Sequence, residues 1–163
     1  MDKQLWLLRH GDAEPHGTRA DDARRLTERG EEQATVAGAA LAALGCSFAA
    51  CFTSPKVRAL DTARRAAPPL GLEVVEHTPL ASAFDRDEAL GLAAAVDDGE
   101  RLLVVGHEPH FSQVVHDLTG ARVDFKKGGV AAVRLQGSTG GELLVLLRPR
   151  DLAAVAAAAP EVA

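Results

Sequence analysis

Apolar residues along this chain gather into short unbroken runs, separated by longer stretches in which they return every three or four positions. Leu5-Trp6-Leu7-Leu8 is the first run, and it stops abruptly at Arg9-His10-Gly11. A run without alternation predicts a strand buried on both faces, here ending in a glycine turn that leaves His10 at its carboxyl end. Residues 12–26 are polar and contain Pro15 and Gly17, which predicts a loop. Thr27 then suits the cap of a helix running to about Leu44, with Val36, Ala40, Leu41 and Leu44 at helical spacing and Gly45 as the stop. A second run at 49–52 leads to Thr53-Ser54-Pro55, where serine before proline suits the start of a helix carrying Arg58 on its first turns.

Residues 73–76 read as a further strand and 85–96 as a helix with Leu90, Leu92 and Val96 on its apolar face. Arg101-Leu102-Leu103-Val104-Val105-Gly106 is another buried run that delivers His107, after which Pro109 fits the N1 position of a helix continuing towards Leu118. Residues 130–135 and 143–147 predict strands around a turn at 136–141, and the alanine-rich stretch 152–159 a terminal helix stopped near Pro160. Strands alternating with helices predict an α/β fold with a mainly parallel sheet. No repeat, linker or charge block divides residues 1–163, which read as one domain.

Composition narrows the function classes. Aromatic residues are only 4% of the chain, so its core must be mostly Leu, Val and Ala. A formal net charge of −5, with no basic stripe interleaved with aromatics, argues against nucleic acid as a partner. The apolar run at 5–8 is too short for a signal-peptide core or a membrane span, which predicts a cytoplasmic protein with no membrane partner. Cys46 and Cys51 lack a CxxC spacing and read as small buried hydrophobes.

In an open α/β sheet, ligands bind beyond the carboxyl ends of the strands, so residues that immediately follow several strands converge. Here they are Arg9-His10-Gly11, Ser54 with Arg58, and Gly106-His107-Glu108. Two arginines and two histidines make a cationic pocket, and the guanidinium fork matches the tetrahedral oxygens of phosphate. The helix starts after Pro55 and Pro109 would add backbone N–H groups and positive dipole ends. A neutral imidazole can attack phosphorus if its other nitrogen is held by an acceptor, and neighbouring arginines should keep it neutral; His10 is the expected nucleophile. Arg9, Arg58 and His107, the last charged once a phosphate dianion arrives, would stabilise the equatorial oxygens without a metal or other cofactor. Gly11 and Glu108 are expected beside them as substrate-binding residues. Lys126 and Lys127 fit either a basic turn or a clamp on an acidic substrate loop, and Asp21-Asp22 before Arg24-Arg25 a solvated charged loop.

The Arg-His-Gly signature after the first strand resembles the histidine phosphatase superfamily, with its phosphoglycerate-mutase-like fold, and within it the small SixA-type phosphohistidine phosphatases. The resemblance extends, in order, over Leu8-Arg9-His10-Gly11-Asp12-Ala13, Arg25-Leu26-Thr27-Glu28-Arg29-Gly30, Thr53-Ser54-Pro55 to Arg58-Ala59, Val105-Gly106-His107-Glu108-Pro109 and Phe125-Lys126-Lys127-Gly128-Gly129. It implies a three-layer α/β/α sandwich. It also implies that His10 carries a covalent phosphoryl group, with Arg9, Arg58 and His107 holding phosphate. Larger relatives usually place a glutamate proton donor after the second arginine's helix. Here that stretch reads Glu76-His77-Thr78-Pro79-Leu80-Ala81-Ser82-Ala83-Phe84-Asp85, leaving Asp85, Glu108 or no residue at all as the acid. A weak acid favours leaving groups such as imidazole over alkoxide. The leading expectation is thus a phosphatase for phosphohistidine on a carrier protein. A phosphatase for small phosphorylated metabolites comes second, and a non-catalytic phosphate-binding module third.

Overall fold

The computed structural model describes residues 1–160. Six strands, β1 (Gln4–Arg9), β2 (Ala50–Thr53), β3 (Val74–Glu76), β4 (Arg101–Gly106), β5 (Val130–Gln136) and β6 (Gly140–Leu147), form one sheet in the order β3-β2-β4-β1-β5-β6. The first four run parallel; β5 and β6 are antiparallel additions on the far side of β1. Five helices cover it: α1 (Glu28–Ala43), α2 (Val57–Ala66), α3 (Arg86–Ala93), α4 (His110–Thr119) and α5 (Pro149–Ala158).

The unbroken apolar runs of β1 and β4 are the middle of this sheet, where both faces need covering. Leu5 and Leu7 point to one side, into a core with Leu102, Val104, Ala89, Leu92, Phe111 and Val114 from β4, α3 and α4. Trp6 and Leu8 point to the other, against Ala37, Leu41, Ala59, Ala63 and Leu152 of α1, α2 and α5. The result is the three-layer α/β/α sandwich expected from the sequence. Alanines dominate the helix faces of the second core, so α1 and α2 lie close to the sheet and to each other; at Gly38 a β-carbon would collide with the backbone of Ala66.

Several boundaries differ from the sequence reading. α3 ends at Ala93, although Val96 beyond it is still buried. Pro109 is the N-cap of α4 rather than its first helical residue. α5 begins three residues early, at Pro149, because the Asp151 carboxylate accepts from both the backbone N–H and the guanidinium of Arg148. Thr27 caps α1 as expected, accepting from Gly30 N. Cys51 is buried and Cys46 half-buried, both unpaired, and burial pushes the Cys51 thiol up to about 12. No helix among the described residues is long and apolar enough to cross a membrane.

Sheet register positions the site. β1 and β4 are neighbours with Arg9 opposite Gly106, and His10 N donates to Gly106 O at 3.0 Å. The residues one step beyond that pair, His10 and His107, therefore emerge side by side, at the point where the chain's connections run to β2 on one side and to β5 on the other.

Candidate active site

His10 is 6% exposed, and its ring is fixed by a 2.7 Å contact between Nδ1 and Gly11 O. A carbonyl only accepts, so Nδ1 carries the proton and Nε2 keeps its lone pair. Burial is the main force against protonation, reinforced by Arg58, Arg9 and Lys127, and together they pull the imidazole down to about 3 despite the Gly11 contact. The His107 ring lies 5.2 Å away, centroid to centroid.

His107 is held from behind by Ser54, whose Oγ is 2.7 Å from Nε2. That hydroxyl accepts from Lys56 N at 3.2 Å and still has a proton it can give to Nε2. With the serine donating, the imidazole proton sits on Nδ1, which is buried and has no partner among the described residues. Burial first, then His10 and Arg58, push His107 down to about 2. In the ligand-free protein it is a neutral N–H donor; the charged form expected from the sequence would need an arriving dianion to offset that burial.

Arg58, on the first turn of α2, is 5% exposed. Its Nη1 donates to Asp21 O at 2.8 Å and its Nη2 lies 3.4 Å from the Asp21 carboxylate. Asp21 also takes Lys56 at 2.8 Å and Arg24 at 3.0 Å, and these cations, Lys56 foremost, hold its carboxyl well below the usual carboxylate range. Arg9 is anchored through Nη1 to Phe125 O at 2.6 Å. Burial lowers both arginines from their ordinary value, yet a guanidinium remains charged at any physiological pH. The Nε atoms of Arg9 and Arg58 are buried without partners among the described residues.

Arg9, His10, Arg58, His107 and Glu108 line a single cavity of about 220 Å³, together with Glu14, Arg24 and Lys127 among others. Gly11, expected to bind substrate, does not line it. Its N–H goes to Thr62 Oγ1 at 3.1 Å, and a β-carbon on it would lie 2.5 Å from Gly30 O. The glycine after His10 is there because the chain leaves β1 in backbone contact with the start of α1. The start of α4 also differs from expectation. Ser112 N, in the first turn of α4, is already taken by Glu108 at 2.7 Å, and Ser112 Oγ donates to the same carboxylate.

These contacts bear on the proton donor. Asp85 is the N-cap of α3, accepting from Glu88 N at 2.9 Å, and lies outside the cavity. Glu108 lines the cavity but is engaged by Ser112. Glu14, a lining carboxylate that sequence reasoning overlooked, is held ionised by Arg25 N and Arg19. Arg24 was overlooked too: it is 7% exposed, donates to Glu14 O at 2.7 Å, and belongs to the cavity wall rather than to a solvated loop. Its alternating charged neighbours carry no periodicity from which burial could be inferred. Among the described residues, no group of three His, Cys, Asp or Glu side chains is arranged to hold a metal ion.

The family model of the histidine phosphatase superfamily (branch 1) matches residues 5–88. An uncharacterised protein of Picosynechococcus sp. is 29% identical, covering 91% of this chain and 98% of its own length. The protein histidine phosphatase SixA complexed with tungstate superposes with a TM-score of 0.80 at 23% identity, over 91% of this chain and 99% of that one. A protein of Nakamurella multipartitia assigned to the SixA phosphohistidine phosphatases gives 0.78 at 25% identity, over 91% and 97%. Phosphoserine phosphatase of Entamoeba histolytica, bound to 3-phosphoglyceric acid, gives 0.70 at 17% identity, over 92% and 99%. The matched segment contains β1 with the Arg-His-Gly turn and the α2 arginine, and the whole fold superposes on that of SixA: this chain belongs to the histidine phosphatase superfamily.

Proposed function

We propose that this protein removes phosphoryl groups from phosphohistidine on a carrier protein, through a covalent intermediate on His10. The observation that carries the reading is the His10 ring itself. Its Nδ1 proton is committed to Gly11 O, its Nε2 lone pair is free, and burial among arginines keeps it neutral.

In the first step Nε2 attacks phosphorus, the bond from phosphorus to the leaving atom breaks, and the leaving group departs with the electron pair. Arg9, Arg58 and the Nδ1–H of His107 hold the equatorial oxygens as charge spreads over them. In the second step water attacks the phosphoryl group, the P–N bond breaks, and inorganic phosphate and neutral His10 are restored. The departing group needs a proton, and the carboxylates lining the pocket are poorly placed to give one: Glu108 is engaged by Ser112 and Glu14 is held ionised. An imidazole leaving group, protonated at its own second nitrogen, needs such help least. This asymmetry favours phosphohistidine over phosphate esters of aliphatic alcohols; the small-molecule reading is kept by the likeness to a phosphoserine phosphatase.

The test is single-turnover labelling with a ³²P-phosphohistidine protein, an aryl phosphate and an alkyl phosphate. Label on His10 that survives alkali and is lost in acid is expected, forming fastest from phosphohistidine and slowest from the alkyl ester. Equal rates from the alkyl ester would mean that a competent acid exists and would remove the argument for phosphohistidine. Absence of covalent label would leave a phosphate-binding module.

A further inference from the structure

Beside the catalytic pocket, and sharing Arg9 and Lys127 with it, lies a larger trough of about 560 Å³ between the start of α1, the turn before β5 and the start of α5. Six cationic side chains line it: Arg9, Arg29, Lys126, Lys127, Arg148 and Arg150. We propose that this trough docks a carboxylate-bearing face of the protein substrate, beside the residue whose phosphoryl group enters the pocket. The inference rests on the reading of the site as a protein phosphatase.

Charge bookkeeping separates this trough from an ordinary solvated face. Lys126 is paired with Asp124 at 2.9 Å, Lys127 faces Asp12 at 3.5 Å, and Arg148 is spent on Asp151 at 3.0 Å. Arg9, Arg29 and Arg150 have no carboxylate within 4 Å among the described residues. Carboxylates stand farther off, Glu108 and Asp124 near Arg9 and Asp12, which also lines the trough, near Arg29, yet three guanidinium groups without an ion pair on one wall are unexpected in a chain with 23 acidic and only 18 basic residues. On a net anionic molecule they reverse the local potential where substrate must approach, which steers an acidic partner and orients it.

The form of the trough favours a protein face over a compact polyanion. The catalytic pocket grips with buried, fixed donors. The trough instead offers long side chains that are about half exposed, at 56% for Lys126, 48% for Lys127 and 46% for Arg148. Such chains adapt to carboxylates at variable positions but do not preorganise a small ligand. Arg9 reaches both cavities, so a residue phosphorylated at a protein surface can enter the pocket while its neighbours lie across the trough.

The experiment compares three synthetic histidine-phosphorylated peptides, identical except for four flanking residues that are Glu, Ser or Lys. It uses wild type and the variant R29E/R150E, whose two positions are exposed and outside the catalytic machinery. Wild type should prefer the Glu peptide over the Lys peptide by about tenfold in kcat/KM at low ionic strength, an advantage that shrinks as salt screens it. In R29E/R150E the order should reverse, while kcat for p-nitrophenyl phosphate stays unchanged. No preference in wild type, or an unchanged preference in the variant, overturns the docking site. If no phosphohistidine peptide is turned over but p-nitrophenyl phosphate is, the proposed substrate fails, and inhibition decides the trough separately. An unphosphorylated Glu-flanked peptide that raises KM for p-nitrophenyl phosphate in wild type and not in R29E/R150E retains the docking site. Absence of that effect, or competition by inorganic tripolyphosphate alone through the same arginines, overturns it.

Discussion

The catalytic pocket and the trough beside it are both cationic and share two residues, yet they are built in opposite ways. In the pocket the buried groups around the phosphate position are clamped: His10 by Gly11, His107 by Ser54, Arg58 and Arg24 by Asp21, Arg9 by Phe125. In the trough, all the cationic side chains but Arg9 stand in solvent, and Arg29 and Arg150 form no ion pair among the described residues. Burial in the pocket fixes protonation states and geometry, which is what phosphoryl transfer requires of a protein that has little covalent chemistry of its own to supply beyond one nucleophile. Exposure in the trough fixes neither, and leaves long-range attraction as its only strong effect. Substitutions in the pocket should therefore be felt in kcat and in pH behaviour, and those in the trough in salt dependence.

The contrast is broken most severely at His10. His10→Ala should reduce turnover of p-nitrophenyl phosphate by on the order of 10⁴-fold or more, because no other group in the pocket offers a free lone pair at phosphorus. The fold should persist, since β1 keeps its ladder to β4 and β5 and the histidine lies past its end. A folded variant that hydrolyses substrate at a substantial rate would remove the covalent route. Arg58→Ala comes next. Losing one preorganised donor pair should cost about 2–4 kcal/mol in kcat/KM. Unchanged kinetics would mean that Arg58 serves only to hold Asp21.

Ser54→Ala sharpens the comparison from the side of positioning. Without the hydroxyl, His107 loses the group that puts its proton on Nδ1, and about tenfold in kcat/KM should be lost with it, roughly one neutral hydrogen bond. Two-dimensional ¹H–¹⁵N spectra should show the tautomer shift from Nδ1–H towards Nε2–H, and Ser54→Thr should restore both rate and tautomer. A slower enzyme with the tautomer unchanged would make Ser54 merely a part of the packing.

These distinctions were unequally legible in the sequence. The strand ends were readable because β1 and β4 are unbroken apolar runs cut off by Arg9-His10-Gly11 and Gly106-His107, and parallel pairing then has to bring the two histidines together. Arg58 was readable from the short link between β2 and its helix. Arg24, Asp21 and Glu14 were not, since a polar loop has no period and what buries Arg24 is a fold-back of the chain onto Glu14 O and Asp21. Gly11 was read for the wrong job. It was expected to bind substrate, whereas the missing β-carbon makes room for Gly30, a partner 19 positions away that only tertiary packing identifies. The trough was beyond reach for a similar reason, because it collects side chains from four separate segments.

The smallest expected effect concerns stability in mild acid. His10 and His107 have folded-state values of about 3 and about 2, while in the unfolded chain both return to the ordinary value near 6.5. Between those limits the unfolded chain binds protons that the folded one refuses. Stability therefore rises with pH across this window and is lost as pH falls below about 6.5. Each histidine contributes a slope of at most about 1.4 kcal/mol per pH unit. Denaturant unfolding between pH 7 and pH 5.5 isolates the effect, since the carboxylates whose pairing makes them more acidic, Asp21 above all with Asp12 and Glu14, stay ionised there. His10→Gln should make the protein about 1 kcal/mol less sensitive to that drop. If wild type is equally stable at both pH values, the two imidazoles are not held neutral by burial. The pocket would then be as permissive as the trough, and the attacking nitrogen of His10 would have to be freed by substrate binding instead.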